Sequence, residues 1–219
     1  VVADWGAAVV SPVMWELVEE AAAALIADAG MIRVDGVDTT LPRLGAAWSL
    51  AGSVGLIAEL GPHWPACADQ LTPEVRAAME ATDTYQYGAE ARIKLERRRT
   101  ELNEKMAQIF DPAAGGVDFV VTASNPDVAF AAEGPLPSVF GGVEAGAKIN
   151  GRLTFPANMY GNPAVSIPAG LLDGLPVGLQ VVAPHFHEEL LLELALLVER
   201  SRPWPLTSQA ASAAGVAAA

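Results

Sequence analysis

The sequence predicts an α/β fold in which strands are buried among helices, and three observations carry that prediction. Two near-continuous apolar runs, AVSIPAG and PVGLQVVAP, read as strands covered on both faces. Asp173-Gly174 lies between them, a strong hairpin signal because glycine tolerates positive φ. Elsewhere, capped segments with apolar residues at helical spacing occupy much of the chain.

Taken in order, Ser11-Pro12 opens the first helix, serine capping free backbone N–H groups and proline taking the first helical position. Trp15, Val18, Ala22 and Leu25 fall on one stripe, and Gly30 ends the helix. IRVDGVDTTLP is a short strand or loop turning at Asp35-Gly36. Pro42 opens a second apolar helix, about Arg43 to Glu59, closed by Gly61-Pro62. Thr72-Pro73-Glu74 is another capped start. Its helical pattern runs to Phe110, with Gly88 as a break or kink and Leu95, Leu102, Met106, Ile109 and Phe110 on one face. VDFVVTAS, 117–124, is a strand rich in β-branched residues. Residues 125–150 are rich in proline and glycine without periodicity, as expected of a pocket wall or lid. After the hairpin, Glu188 to Arg200 forms the last helix, with acids at its positive end and Arg200 at its negative end. The tail, 206–219, has little to bury and is expected to be disordered.

Bulk properties narrow the function. The 219 residues suffice for one domain with a substantial core, and 52% of them are hydrophobic, which argues against disorder for the bulk of the chain. A formal net charge of −13 disfavours direct contact with nucleic acid or an anionic membrane. No apolar run approaches the ~20 residues that span a bilayer. The start, VVADWGAAVV, lacks the charged stretch of a secretion signal, and one cysteine permits no disulfide within the chain. A cytoplasmic protein is expected. The absent initiator methionine is compatible with a processed or split chain.

Residues of the reactive types have ordinary surroundings in sequence. Cys67 has only His63 as a basic neighbour and reads as a small buried hydrophobe. His185 and His187 flank Phe186 before a helix, with no further ligand nearby to complete a metal site. Ser166 lies within a strand rather than on a nucleophile elbow, and its neighbours suggest ordinary packing. Arg97-Arg98-Arg99 reads as a solvated helix face with pairs such as Arg97 and Glu101.

The segment Asn158 to Pro184 is the most specific part of the chain. Asn158, Tyr160-Gly161-Asn162-Pro163-Ala164, Ser166, Pro168-Ala169-Gly170, Asp173-Gly174-Leu175-Pro176, Val177-Gly178-Leu179-Gln180 and Ala183-Pro184 occur in this order. Asp4-Trp5-Gly6, Ser11-Pro12 and the strand 117–124 precede it, and Arg202-Pro203-Trp204 follows. The series resembles the C-terminal portion of the amidase signature family of C–N hydrolases and spans residues 1–205. The resemblance implies a mixed β-sheet core flanked by helices on both sides, with no cofactor. It also implies a Ser–cis-Ser–Lys triad in which a serine attacks the amide carbonyl. Those catalytic residues lie upstream of everything that matches. Gly115-Gly116 and Gly141-Gly142 are not followed by serine, and Lys94, Lys105 and Lys148 do not end apolar strands, so no catalytic residue carries over.

The resemblance places substrate-facing residues in the loop Thr154 to Asn158, and at Asp173, which matches a turn aspartate able to contact a substrate's amino group. For Asp173 a plain turn role stands equally open, and Asn158 could instead satisfy loop backbone groups. Phe140 and Trp64 are candidate wall residues. The expected partners are an N-terminal catalytic portion of the same enzyme and a small carboxamide, and a homo-oligomer is compatible. Two other readings stand beside this one: a non-catalytic binding or structural module, and the A subunit of a tRNA-dependent amidotransferase.

Overall fold

The computed structural model describes residues 1–2, 4–6, 8–42, 54–84 and 89–205. The expected tail, most of the expected second helix and the break at Gly88 therefore lie outside the described residues. The chain divides into two compact units, Val1–Thr40 with Met106–Ala219, and Leu41–Lys105.

The first unit is built on a three-stranded antiparallel sheet. Strand β1 is Val120–Ala123, and two longer strands, β4 (Ala164–Leu172) and β5 (Leu175–Val182), form the expected hairpin. The spatial order is β1-β5-β4. At the hairpin tip Asp173 has φ 52° and Gly174 has φ 78°, the doubly left-handed geometry that this turn signal specifies. β5, in the centre, has Val181 and Val182 wholly buried. β4 departs from the expectation of cover on both faces: only Ile167 among its residues is fully buried. The cause is its place at a margin of the described sheet. Pro168, which has no N–H to give a ladder, fits such an edge, and the register shifts between Pro168 and Gly170.

Helix α1, Pro12–Asp28, packs on all three strands. Its buried stripe is Met14, Val18, Ala22 and Leu25. Met14 takes the place expected for Trp15, which is half-buried; spacing by four from Val18 puts residue 14 on the stripe and residue 15 on its flank. Ser11 makes no side-chain cap bond; instead its backbone N–H donates to Pro126 O at 2.9 Å. The C-terminus closes as expected: Gly30 has φ 62°, Gly30 N–H reaches Ala27 O, and Met31 N–H reaches Ile26 O. The segment after it, residues 31–42, is irregular.

The stretch 125–150 is not wholly irregular. It holds a small hairpin, β2 (Val139–Phe140) with β3 (Val143–Glu144). Asp127 ties it down, its carboxylate accepting from Val128 N–H and Gly141 N–H.

The described residues of the second unit are mostly helical. Residues 54–60 are helical, followed by a 3₁₀ turn at Gly61–His63. Helix α2 is Pro73–Thr84, and α3, Ala89–Phe110, continues into the first unit from Met106 onward. On α3, Leu102, Met106 and Ile109 are buried as the pattern predicts, while Leu95 and Phe110 are half-buried and Arg97 to Arg99 are exposed.

Two further helices complete the first unit. The short α4, Phe155–Tyr160, starts with a proline in its first turn and ends on Gly161 at φ 86°. α5, Glu188–Ser201, buries Leu191, Leu194 and Val198 and packs on β4 and α1. Its end is fastened to that of α1: Asp28 Oδ2 accepts from Ser201 Oγ at 3.0 Å and from Arg202 Nη1 at 2.7 Å.

Candidate functional site

The segment expected to face substrate is held in an unexpected form. Thr154 to Asn158 is not a loop: Thr154 is the residue before α4, and Asn158 sits inside that helix. The two are brought together, Asn158 Nδ2 donating to Thr154 O at 3.0 Å. Thr154 Oγ1 reaches Gly151 O at 3.4 Å. Asn158 is exposed and Thr154 half-buried, so both hold the helix start while staying accessible. Asp173 stands apart at the exposed hairpin tip and makes no hydrogen bond to either among the described residues.

Buried amides pin this segment to β5. Gln180 Nε2 donates to Leu153 O at 3.1 Å, and Asn162 Nδ2 donates to Ala183 O at 2.7 Å. His185 adds a third tie: Nε2 lies 2.9 Å from Tyr160 O, and its ring sits 4.4 Å from that of Tyr160. His185 is thus a structural contact rather than a metal ligand among the described residues. His187 occupies the N-cap of α5 without a side-chain cap bond.

A polar row crosses the sheet beside these ties. In register, Thr122 faces Gln180 and Gln180 faces Ser166, so the three share one face. Ser124 Oγ and Ser166 Oγ are 2.6 Å apart, over Gly178. A Cβ at Gly178 would lie 2.7 Å from both oxygens, so only glycine leaves room for the bond. The packing expected of Ser166 is therefore corrected: it is exposed, and its hydroxyl joins β4 to the residue that follows β1, across the central strand. Among the described residues neither hydroxyl has a histidine, lysine or carboxylate as a hydrogen-bond partner, so neither is activated as a nucleophile by these contacts.

A cleft of about 660 Å³ opens next to this row, bounded by residues 125–130, Phe140, Asn150 and 176–178. The stretch after β1 thus lines a cleft, and Phe140 forms part of its wall. Sequence reasoning missed Ser124 and the amide ties. A glycine inside an apolar strand was the available signal for close approach at Gly178. Nothing local marks Gln180, whose partner is 27 residues away. Among the described residues no three His, Cys, Asp or Glu side chains gather as a metal site.

Comparison with known proteins defines the class. The family model described as Amidase matches residues 8–192, a range that includes α1, the sheet and the Leu153–Asn162 segment. The chain belongs to the amidase signature family. Among curated relatives, the A subunit of glutamyl-tRNA(Gln) amidotransferase from Listeria monocytogenes serotype 4a (strain HCC23) is 33% identical over 107 residues, which is 49% of this chain and 20% of that protein. The corresponding protein of Clostridium kluyveri (strain NBRC 12016) is 51% identical over 51 residues, 23% of this chain and 10% of that one. A bacterial aryl acylamidase of the amidase signature enzymes superposes with TM-score 0.78 at 20% identity, over 93% of this chain and 43% of that chain. The 6-aminohexanoate cyclic dimer hydrolase gives TM-score 0.64 at 20% identity, over 89% and 42%. The chain thus spans about a fifth or less of these curated relatives and under half of these solved chains.

Proposed function

We propose that this chain is the C-terminal, pocket-forming region of an amidase that hydrolyses a small linear carboxamide. An N-terminal portion supplies the attacking serine, the bridging serine and the lysine base. The carrying observation is the family match through residues 8–192, which takes in the hairpin and the Leu153–Asn162 segment. The extent of the fold likeness, 93% of this chain against 43% of the aryl acylamidase, supports the division of labour. Thr154 and Asn158 face the acyl side of the substrate, and Asp173 faces an amino group where the substrate carries one. The enzyme works in the cytoplasm without a cofactor. No described helix is long and apolar enough to cross a membrane.

The test is co-expression of the chain with an N-terminal amidase portion bearing the triad. Soluble complex and turnover of a carboxamide are expected, and none from the chain alone. Hydrolysis by the chain alone would overturn the proposal.

A second reading, the A subunit of a tRNA-dependent amidotransferase, draws on the local identity to the Listeria and Clostridium proteins. It requires a second protein for ammonia delivery. A pull-down that recovers such a protein together with glutaminase activity would favour it over the hydrolase.

A further inference from the structure

We propose that Gln180 and Asn162 are positioning residues, a pair of side-chain amides that hold the Thr154–Asn158 segment in the geometry that binds substrate. The inference rests on the reading of that segment as substrate-facing.

Both amides are buried, Gln180 at 5% exposure and Asn162 at 8%, and each gives its N–H to a backbone carbonyl outside regular pairing. Leu153 O lies one residue before Thr154, and Ala183 lies one residue beyond β5. The anchor points therefore bracket α4. Helix α4 is fixed at both ends to the central strand of the sheet and the residue that follows it. Backbone bonds continue the anchor at the second end, where Asn162 N–H reaches Ala157 O and Ala183 N–H reaches Pro163 O. The tie from His185 to Tyr160 O lies at the same end. At the first end Gln180 is the side chain that takes up Leu153 O, so the Thr154 side of the segment depends on it most.

The chemistry of the tie is one-directional. A carbonyl only accepts, so a side chain without an N–H or O–H donor cannot replace the amide. Once a tie is lost, the segment spends part of its time away from the binding geometry. The apparent dissociation constant then rises by the inverse of the competent fraction, while the bound complex reacts as before.

The experiment uses the neutral, near-isosteric Gln180→Met and Asn162→Leu in the enzyme reconstituted with its N-terminal portion, and in the chain as it stands. Amide hydrogen exchange should speed up about fivefold over residues 154–161, the factor for one lost neutral hydrogen bond. Exchange across the Ala164–Val182 hairpin should stay unchanged. KM for a small carboxamide should rise by about the same factor, with kcat held within about twofold. Unchanged exchange and KM in both variants would overturn the proposal. So would a uniform rise in exchange through the hairpin, which would mark the amides as general stabilisers. If the unsubstituted reconstituted enzyme fails to turn over carboxamide, the functional reading falls, and the exchange pattern alone still decides whether the ties hold the segment.

Discussion

Gly116→Ala should be far more damaging than Gly115→Ala, although Gly115 is the residue with the left-handed backbone. A Cβ at Gly116 would lie 2.6 Å from Ile109 O and 2.7 Å from Asp111 N and O. Ordinary contact begins near 3.5 Å, so the overlap is about 0.8 Å, against backbone atoms that cannot swing aside. Two of the bonds these atoms make run to Gly116 and its neighbour: Ile109 O accepts from Val117 N–H at 2.9 Å, and Asp111 O accepts from Gly116 N–H at 2.8 Å. Relief means giving up both bonds, about 1 kcal/mol each, with overpacking strain of about 1–3 kcal/mol on top. The expected cost is therefore about 3–5 kcal/mol. At Gly115, φ is 74° and an added Cβ meets nothing within 4 Å, which leaves only the left-handed penalty of about 1–2 kcal/mol. The assay is amide exchange of the slowest protons in β1 and β5, which report opening of the whole first unit. Equal costs, or a larger one at Gly115, would refute the reasoning that backbone crowding outweighs φ here.

Two further outcomes are expected. Gly178→Ala should sever the Ser124–Ser166 bond and cost about 1–2 kcal/mol, less than Gly116→Ala because hydroxyls can rotate away. In a Ser124→Ala, Ser166→Ala background the same change should cost measurably less by denaturant titration; strict additivity would show that the pair is not what Gly178 protects. At the hairpin tip, Asp173→Asn should leave stability within about 0.5 kcal/mol because asparagine tolerates φ near 52°, whereas Asp173→Val should cost about 1–2 kcal/mol. If Asp173 also meets the substrate, Asp173→Asn should raise KM for an amine-bearing carboxamide and not for one lacking the amine.

The double glycine at 115–116 shows how a local reading can be right about what residues are not while missing what they are. Without a following serine it could not be a catalytic loop, and it is instead the turn that leads from α3 toward β1, following a 3₁₀ turn at Pro112–Ala114. Its crowding against Ile109 and Asp111 is visible only in three dimensions.

The sequence alone determined the features whose cause lies within a few residues. Pro12 and Gly30 bound α1 because proline fixes φ and glycine accepts the left-handed cap. Asp173-Gly174 set the β4–β5 hairpin, and with it the register of the segment that identifies the family. Tertiary structure decided the rest. Which strand lies central, and hence why β4 is half exposed, depends on where β1 joins from much earlier in the chain. The Ser124–Ser166 bond spans 42 residues and the Gln180–Leu153 tie spans 27. The second forms because folding leaves the buried Gln180 amide no water to bond, so it takes the carbonyl that the topology delivers, and no short stretch of chain encodes that choice.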